Sequence, residues 1–108
     1  MDLKAIGEDL GLEESEFLEI VELFLETAEA DITRLKQAID GHDMQTLTEA
    51  AHSLKGSAGN LGFTEIYRLS KEIETAAREH TLDSLGPVLD SIETLKGDIQ
   101  DALNAKTA

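Results

Sequence analysis

The sequence predicts an all-α protein, an up-and-down four-helix bundle with a short additional N-terminal helix. Three observations carry that prediction. Apolar residues recur at helical spacing along nearly the whole chain. Glycine, aspartate and proline punctuate this pattern at a few short intervals, so consecutive long helices are joined by tight turns and must run antiparallel. Hydrophobic residues make up 41% of the chain, but with three Phe, one Tyr and no Trp, the core has to be built from aliphatic side chains. At 108 residues the chain suits one domain, residues 1–108, able to bury roughly 65% of its unfolded surface.

The first helix spans Leu3 to Leu10, with Leu3, Ile6 and Leu10 on one side and Gly11 ending it. A long second helix runs from Glu14 to Ile39. Its buried stripe is Phe17, Ile20, Val21, Phe24, Ala28, Leu35 and Ile39, and Gly41 stops it. Asp43 is the N-cap of a third helix from Met44 to Asn60, which Gly62 closes. Thr64 starts a fourth, with Ile66, Leu69, Ile73, Ala76 and Ala77 facing inward. Thr81 caps a fifth that carries Leu82, Leu85, Val88, Leu89, Ile92, Leu95, Ile99 and Leu103. Pro87 lies early in that helix, where it starts the regular turns or kinks them.

Composition excludes several kinds of chemistry. Without cysteine there is no disulfide, thiolate metal site or cysteine nucleophile. A net charge of −14, from 23 acidic against 9 basic residues, repels nucleic acid and anionic membrane, because neutralising phosphates takes Lys and Arg. No apolar run approaches the length of about 18 residues that a membrane span needs. The acidic N-terminus "MDLKAIGEDL" lacks the basic start of a signal peptide. A cytoplasmic monomer is expected.

The stretch "AAHSLKGSAGNLGF", residues 50 to 63, sets three glycines close behind a histidine. On a helical wheel Leu47, Ala50, Ala51, Leu54, Ala58 and Leu61 fall within about 50° of one centre. His52 lies about 150° from that centre and points to solvent. Lys55, Gly56 and Gly59 follow it at i+3, i+4 and i+7, on the same side of the helix. Gly56 and Gly59 therefore clear the surface beside an exposed imidazole. A solvated imidazole is largely neutral at pH 7, which leaves one ring nitrogen free to act as a nucleophile. Lys55 can offset the charge of a phosphoryl group there. His42, in the turn "DGHD", and His80, at the end of the fourth helix, have no cleared face and read as structural.

The same stretch resembles the signature of histidine phosphotransfer (HPt) domains, approximately H-S-L-K-G-S-A-x-x-L-G. His52, Ser53, Leu54, Lys55, Gly56, Ser57, Ala58, Leu61 and Gly62 match it. "FLEIVELFLETAEADITRLKQAIDGHD" is similar to the family's preceding helix and "RLSKEIETAARE" to its following one, so the resemblance covers nearly the whole chain. It implies that His52 accepts a phosphoryl group and exchanges it with an aspartate of a response-regulator receiver domain. The supplier would be such a receiver or a sensor (hybrid) histidine kinase. It implies a phosphocarrier and not an enzyme, with no cofactor of its own, since the Mg²⁺ of the transfer would sit in the receiver. No metal site is expected.

The chain also resembles the phospho-accepting substrate domains of chemotaxis-type histidine kinases, which is the alternative reading. In those domains a Glu on the next helix bonds the histidine's Nδ1, and alignment along "GFTEIYRLSKEIE" puts Glu74 in that place. A carboxylate there would hold Nδ1–H and leave the Nε2 lone pair outward. The competing expectation is a surface pair of Glu74 with Arg78 at i+4. Arg78 and Lys71 project from the same side of the fourth helix, as phosphoryl contacts or as solvated charge. An inert docking bundle would keep the fold without needing His52. A di-iron bundle would need Glu-x-x-His from two helices, and only "EAAH", Glu49 to His52, has that spacing.

Overall fold

The computed structural model describes residues 1–107. Five α-helices follow one another: α1 Leu3–Asp9, α2 Glu14–Gly41, α3 Met44–Asn60, α4 Thr64–Glu79 and α5 Leu85–Thr107. A single 3-10 turn, Leu82–Ser84, leads into α5. Helices α2 to α5 form the four-helix bundle, each packed on the next, with α5 closing back on α2 and α1 lying against α2. The 28 residues of α2, at about 1.5 Å each, come to roughly 42 Å. The molecule's longest dimension is 41 Å, so α2 sets the length of the bundle. Among the described residues no helix is long and apolar enough to cross a membrane.

Caps place the helix ends. The Asp43 side chain accepts from the backbone N–H of Thr46 at 3.1 Å and from its hydroxyl at 2.7 Å, as an N-cap should. Three C-termini share one closure. Behind α2, α3 and α4 an N–H bonds back five residues, Asp43 to Ala38, Phe63 to Ala58 and Thr81 to Ala76, each at 2.9 Å. The left-handed residue in these turns is Gly62 after α3, as the sequence predicts, but His42 after α2 and His80 after α4. Gly41 does not stop α2, because it is still helical and the turn falls one residue later. The two histidines are thus backbone caps, each accepting a conformation that costs a side-chain-bearing residue about 1 kcal/mol. Pro87 is the third residue of α5, where its missing N–H would have no intrahelical partner, so it starts the helix without kinking it.

The core is aliphatic with one aromatic corner. Phe63 packs on Phe24 and Phe17 with ring centroids 5.1 and 6.5 Å away. The expected stripe of α2 is too narrow. Leu25, Ile32 and Ala38 are also buried, because α2 touches α3 along one flank and α5 along the other. Two residues placed inside by periodicity lie outside. Leu10, just past the end of α1, is exposed, and so is Ile20, which sits at the rim of a crevice between α2 and α3.

Gly7 explains how α1 attaches. A Cβ at this position would stand 2.9 Å from Cγ and 3.0 Å from Cβ of Phe17. Those atoms sit next to the α2 backbone and cannot swing aside, and Phe17 is fully buried. Gly7→Ala should therefore lever α1 off α2 and destabilise the protein by about 1–3 kcal/mol despite its gain in helix propensity. A thermal melt checks this, and an unchanged melting temperature would mean that α1 contributes nothing to stability.

Candidate functional site

His52 sits in the middle of α3 on the side away from the core, with 71% of its side chain exposed. The helix face that Leu47, Ala50, Ala51, Leu54 and Ala58 bury fixes this orientation. Its Nδ1 lies 2.9 Å from Oε2 of Glu74 on α4. A carboxylate only accepts, so Nδ1 carries the hydrogen and donates it, and the lone pair is left on Nε2, facing solvent. Glu74 does not pair with Arg78. Its second oxygen, Oε1, accepts from Nζ of Lys55 at 2.8 Å. The carboxylate thus bridges two residues one turn apart on α3, and its side chain is 13% exposed.

The Lys55 ammonium holds the Glu74 carboxyl below the usual carboxylate range. The bond from His52 adds to that effect, and partial burial opposes it. Glu74 therefore stays charged well into mildly acidic solution. The stability that these bonds contribute is present above the ordinary glutamate range and is lost only as pH falls through the lowered value.

The two glycines differ. A Cβ on Gly56 would meet nothing within 4 Å, so the surface beside His52 is open there. At Gly59 the space is already filled, since a Cβ would stand 3.0 Å from Cδ2 of Tyr67. Gly59 lets the α4 tyrosine lie across α3 and does not keep a path clear, a correction to the reading of both glycines as clearance. Helical spacing cannot reveal this, because the ring comes from another helix.

Arg78 is exposed and makes no ion pair among the described residues. Lys71 lines a groove of about 450 Å³ between α4 and the start of α5, and it makes no hydrogen bond or ion pair with His52 or Glu74. Sequence reasoning missed one anchor of the site. Ser53 donates to Asp31 of α2 at 2.8 Å, which ties α3 to α2 at the residue next to His52. Asp31 is buried, and Arg34 approaches it at 3.4 Å. A signal was present, for Asp31 stands three residues after Ala28 and four before Leu35, an acid on the apolar stripe.

On the other flank of α3, Ile20 and Leu23 of α2 are 38% and 60% exposed. With Phe24, Thr27, Ser57 and Leu61 they line an open crevice of about 220 Å³. On the α3 side this crevice is bounded by Ser57, Asn60 and Leu61, five to nine residues after His52.

The fold and site together are those of a helical bundle with an exposed α3 imidazole, oriented by a carboxylate and flanked by a bare stretch of helix. Residues 19–105 match the family model of the Hpt domain, which is most of the chain. The chain belongs to the Hpt domain family, and its role is phosphotransfer in a phosphorelay. Such domains are phosphocarrier modules that work with receiver domains and hybrid kinases. The fold is also that of solved relatives. The histidine-containing phosphotransfer protein B (HptB) of Pseudomonas aeruginosa PAO1 superposes with a TM-score of 0.81 at 24% identity, covering 96% of this chain and 88% of that one. The HPT domain of the Hpt sensor hybrid histidine kinase of Shewanella gives 0.77 at 19% identity, covering 97% and 91%. No curated protein matches the chain.

Proposed function

We propose that His52 is the residue that carries the phosphoryl group, and that Nε2 exchanges it with the phospho-accepting aspartate of a receiver domain. The observation that carries this reading is the Glu74 bond to Nδ1, which leaves the Nε2 lone pair on the exposed side of the ring beside the open Gly56 surface. The lone pair forms the N–P bond while the P–O bond to the receiver's aspartate breaks and its electrons leave with that carboxylate. The receiver would hold the Mg²⁺ that balances charge in this transfer. Arg78, exposed and without an ion pair among the described residues, is a candidate cation for the phosphoryl group. The chain works as a cytoplasmic monomer without nucleic acid or membrane, since its charge of −14 opposes both self-association and anionic surfaces.

The receiver docks over Gly56 and onto Ile20 and Leu23. Incubation with a phosphorylated receiver domain should transfer an acid-labile, base-stable label to this protein. Leu23→Ser should raise the KM for the receiver about tenfold, by removing apolar contact worth about 1–2 kcal/mol, without lowering the melting temperature. Transfer from acetyl phosphate or phosphoramidate, which need no docking, should be unchanged. An unaltered KM would place the receiver elsewhere. The Glu74 geometry also favours a second reading, a phospho-accepting substrate domain of a chemotaxis-type kinase. A label that arrives only from a kinase, and from no receiver, would select it.

A further inference from the structure

We infer that Tyr67 is a specificity-determining contact for the receiver domain on the α4 side of His52, and that its seat on Gly59 holds the ring ready for that contact. This rests on the proposed role of His52. The three Phe are buried, so Tyr67, 39% exposed, is the aromatic side chain that reaches the surface. The ring is not loose. A Cβ on Gly59 would stand 3.0 Å from its Cδ2 and 3.4 Å from its Cε2, so the ring lies directly against the α3 backbone. That seat orders it before any partner arrives, and little further freedom is lost when one does.

The seat also fixes where the ring stands. Gly59 follows His52 by seven residues, two helical turns, so a Cβ there would point within about 20° of the direction taken by that of His52. Tyr67 fills that space. The ring and the imidazole therefore share one face, roughly 10 Å apart along the axis at 1.5 Å per residue. Even a small transient interface, about 600 Å² on each partner, is a patch of roughly 14 Å radius. A receiver centred on Nε2 thus covers Tyr67 as well. Charge favours the same side. Residues 44–79 hold four of the nine basic residues but only five of the 23 acidic ones, so the α3–α4 hairpin is almost neutral in a very acidic chain. A partner that offers a carboxylate meets less repulsion here than over α2. Backed by Gly59, the ring cannot fold away. A fitting receiver has to present an apolar surface to it, and one with a bulky charged side chain at that point is refused.

Tyr67 is the only tyrosine and the chain has no tryptophan, so its ring signals in ¹³C-labelled protein are unambiguous. An unlabelled receiver domain that exchanges phosphate with this protein should shift those signals as it saturates. Tyr67→Ala should raise the KM for that receiver about tenfold with kcat nearly unchanged, as loss of a central aromatic contact does. Tyr67→Phe should restore the KM, and loading by phosphoramidate should be the same in both variants. Ring signals that stay in place at saturation, or a wild-type KM in Tyr67→Ala, would overturn the inference. An equal loss in phosphoramidate loading would also overturn it, because the ring would then be acting on the fold and not on the partner. A label mapped to a residue other than His52 would instead overturn the proposed acceptor. The titration uses unphosphorylated protein, so the two failures are distinguishable.

Discussion

His52→Gln is expected to abolish phosphoryl acceptance completely while the bundle stays folded. The nearest other nitrogen, Lys55 Nζ, is engaged as an ammonium with Glu74 and carries no lone pair. His42 and His80 are fixed in left-handed turns at the ends of α2 and α4, and neither has a hydrogen bond to a carboxylate among the described residues. Glutamine favours helix slightly more than histidine does, and the lost side chain is 71% exposed. The change in stability should therefore stay within about 0.5–1 kcal/mol, mostly from the bond to Glu74. Mass spectrometry of the labelled protein under alkaline conditions, beside a thermal melt of the same variant, checks both halves. A label that persists in His52→Gln, or that maps to His42 or His80, would overturn the assignment.

Most of the fold is legible in the sequence because helix-forming signals are local. Asp43 caps α3 with its own side chain, and Gly62 turns the chain after Asn60, so both boundaries follow from residues a few positions apart. Signals that depend on a second helix are not legible in this way. Ile20 fits the apolar period of α2, yet its exposure depends on where α3 ends beside it. Gly59 has the spacing of a cleared face until Tyr67 arrives from α4. His42 has no feature that marks it for a left-handed turn, since Gly41 beside it is the better candidate by intrinsic preference.

The candidate site divides along the same line. His52 and the open position at Gly56 are geometry within α3, and periodicity finds both. The Glu74 bond crosses 22 positions of sequence, and only resemblance to chemotaxis-type domains points to it before the structure does. Between its two expected partners, His52 and Arg78, burial decides. An α4 carboxylate that leans over α3 is largely covered, and there it finds the Lys55 ammonium as well as the imidazole. Asp31 was open to discovery from sequence, because an acid at a core position of an amphipathic helix has to find a partner, and it finds Ser53.

Gly56→Leu should separate stability from function. The residue is helical, exposed and free of neighbours within 4 Å of its missing Cβ, so no contact forbids a side chain. Glycine costs helix about 1 kcal/mol relative to alanine, and replacing it also reduces the entropy of the unfolded chain. Gly56→Ala and Gly56→Leu should both melt above wild type. Transfer should respond differently. A leucine here stands one turn from His52, on the side from which, in the proposed reading, a receiver would close over Nε2 to bring phosphorus in line with the lone pair. Holding the reacting atoms apart by the width of a methyl group or more should slow transfer from a receiver about 100-fold. Alanine should cost far less. A small donor such as phosphoramidate, which needs no flat surface, should load Gly56→Leu at close to the wild-type rate. Gly59→Ala supplies the contrast, since its Cβ presses on Tyr67 and its effect should appear in the melt. Wild-type transfer from a receiver to Gly56→Leu would mean that the bare stretch of α3 is not the path of approach, and that the glycine serves another purpose.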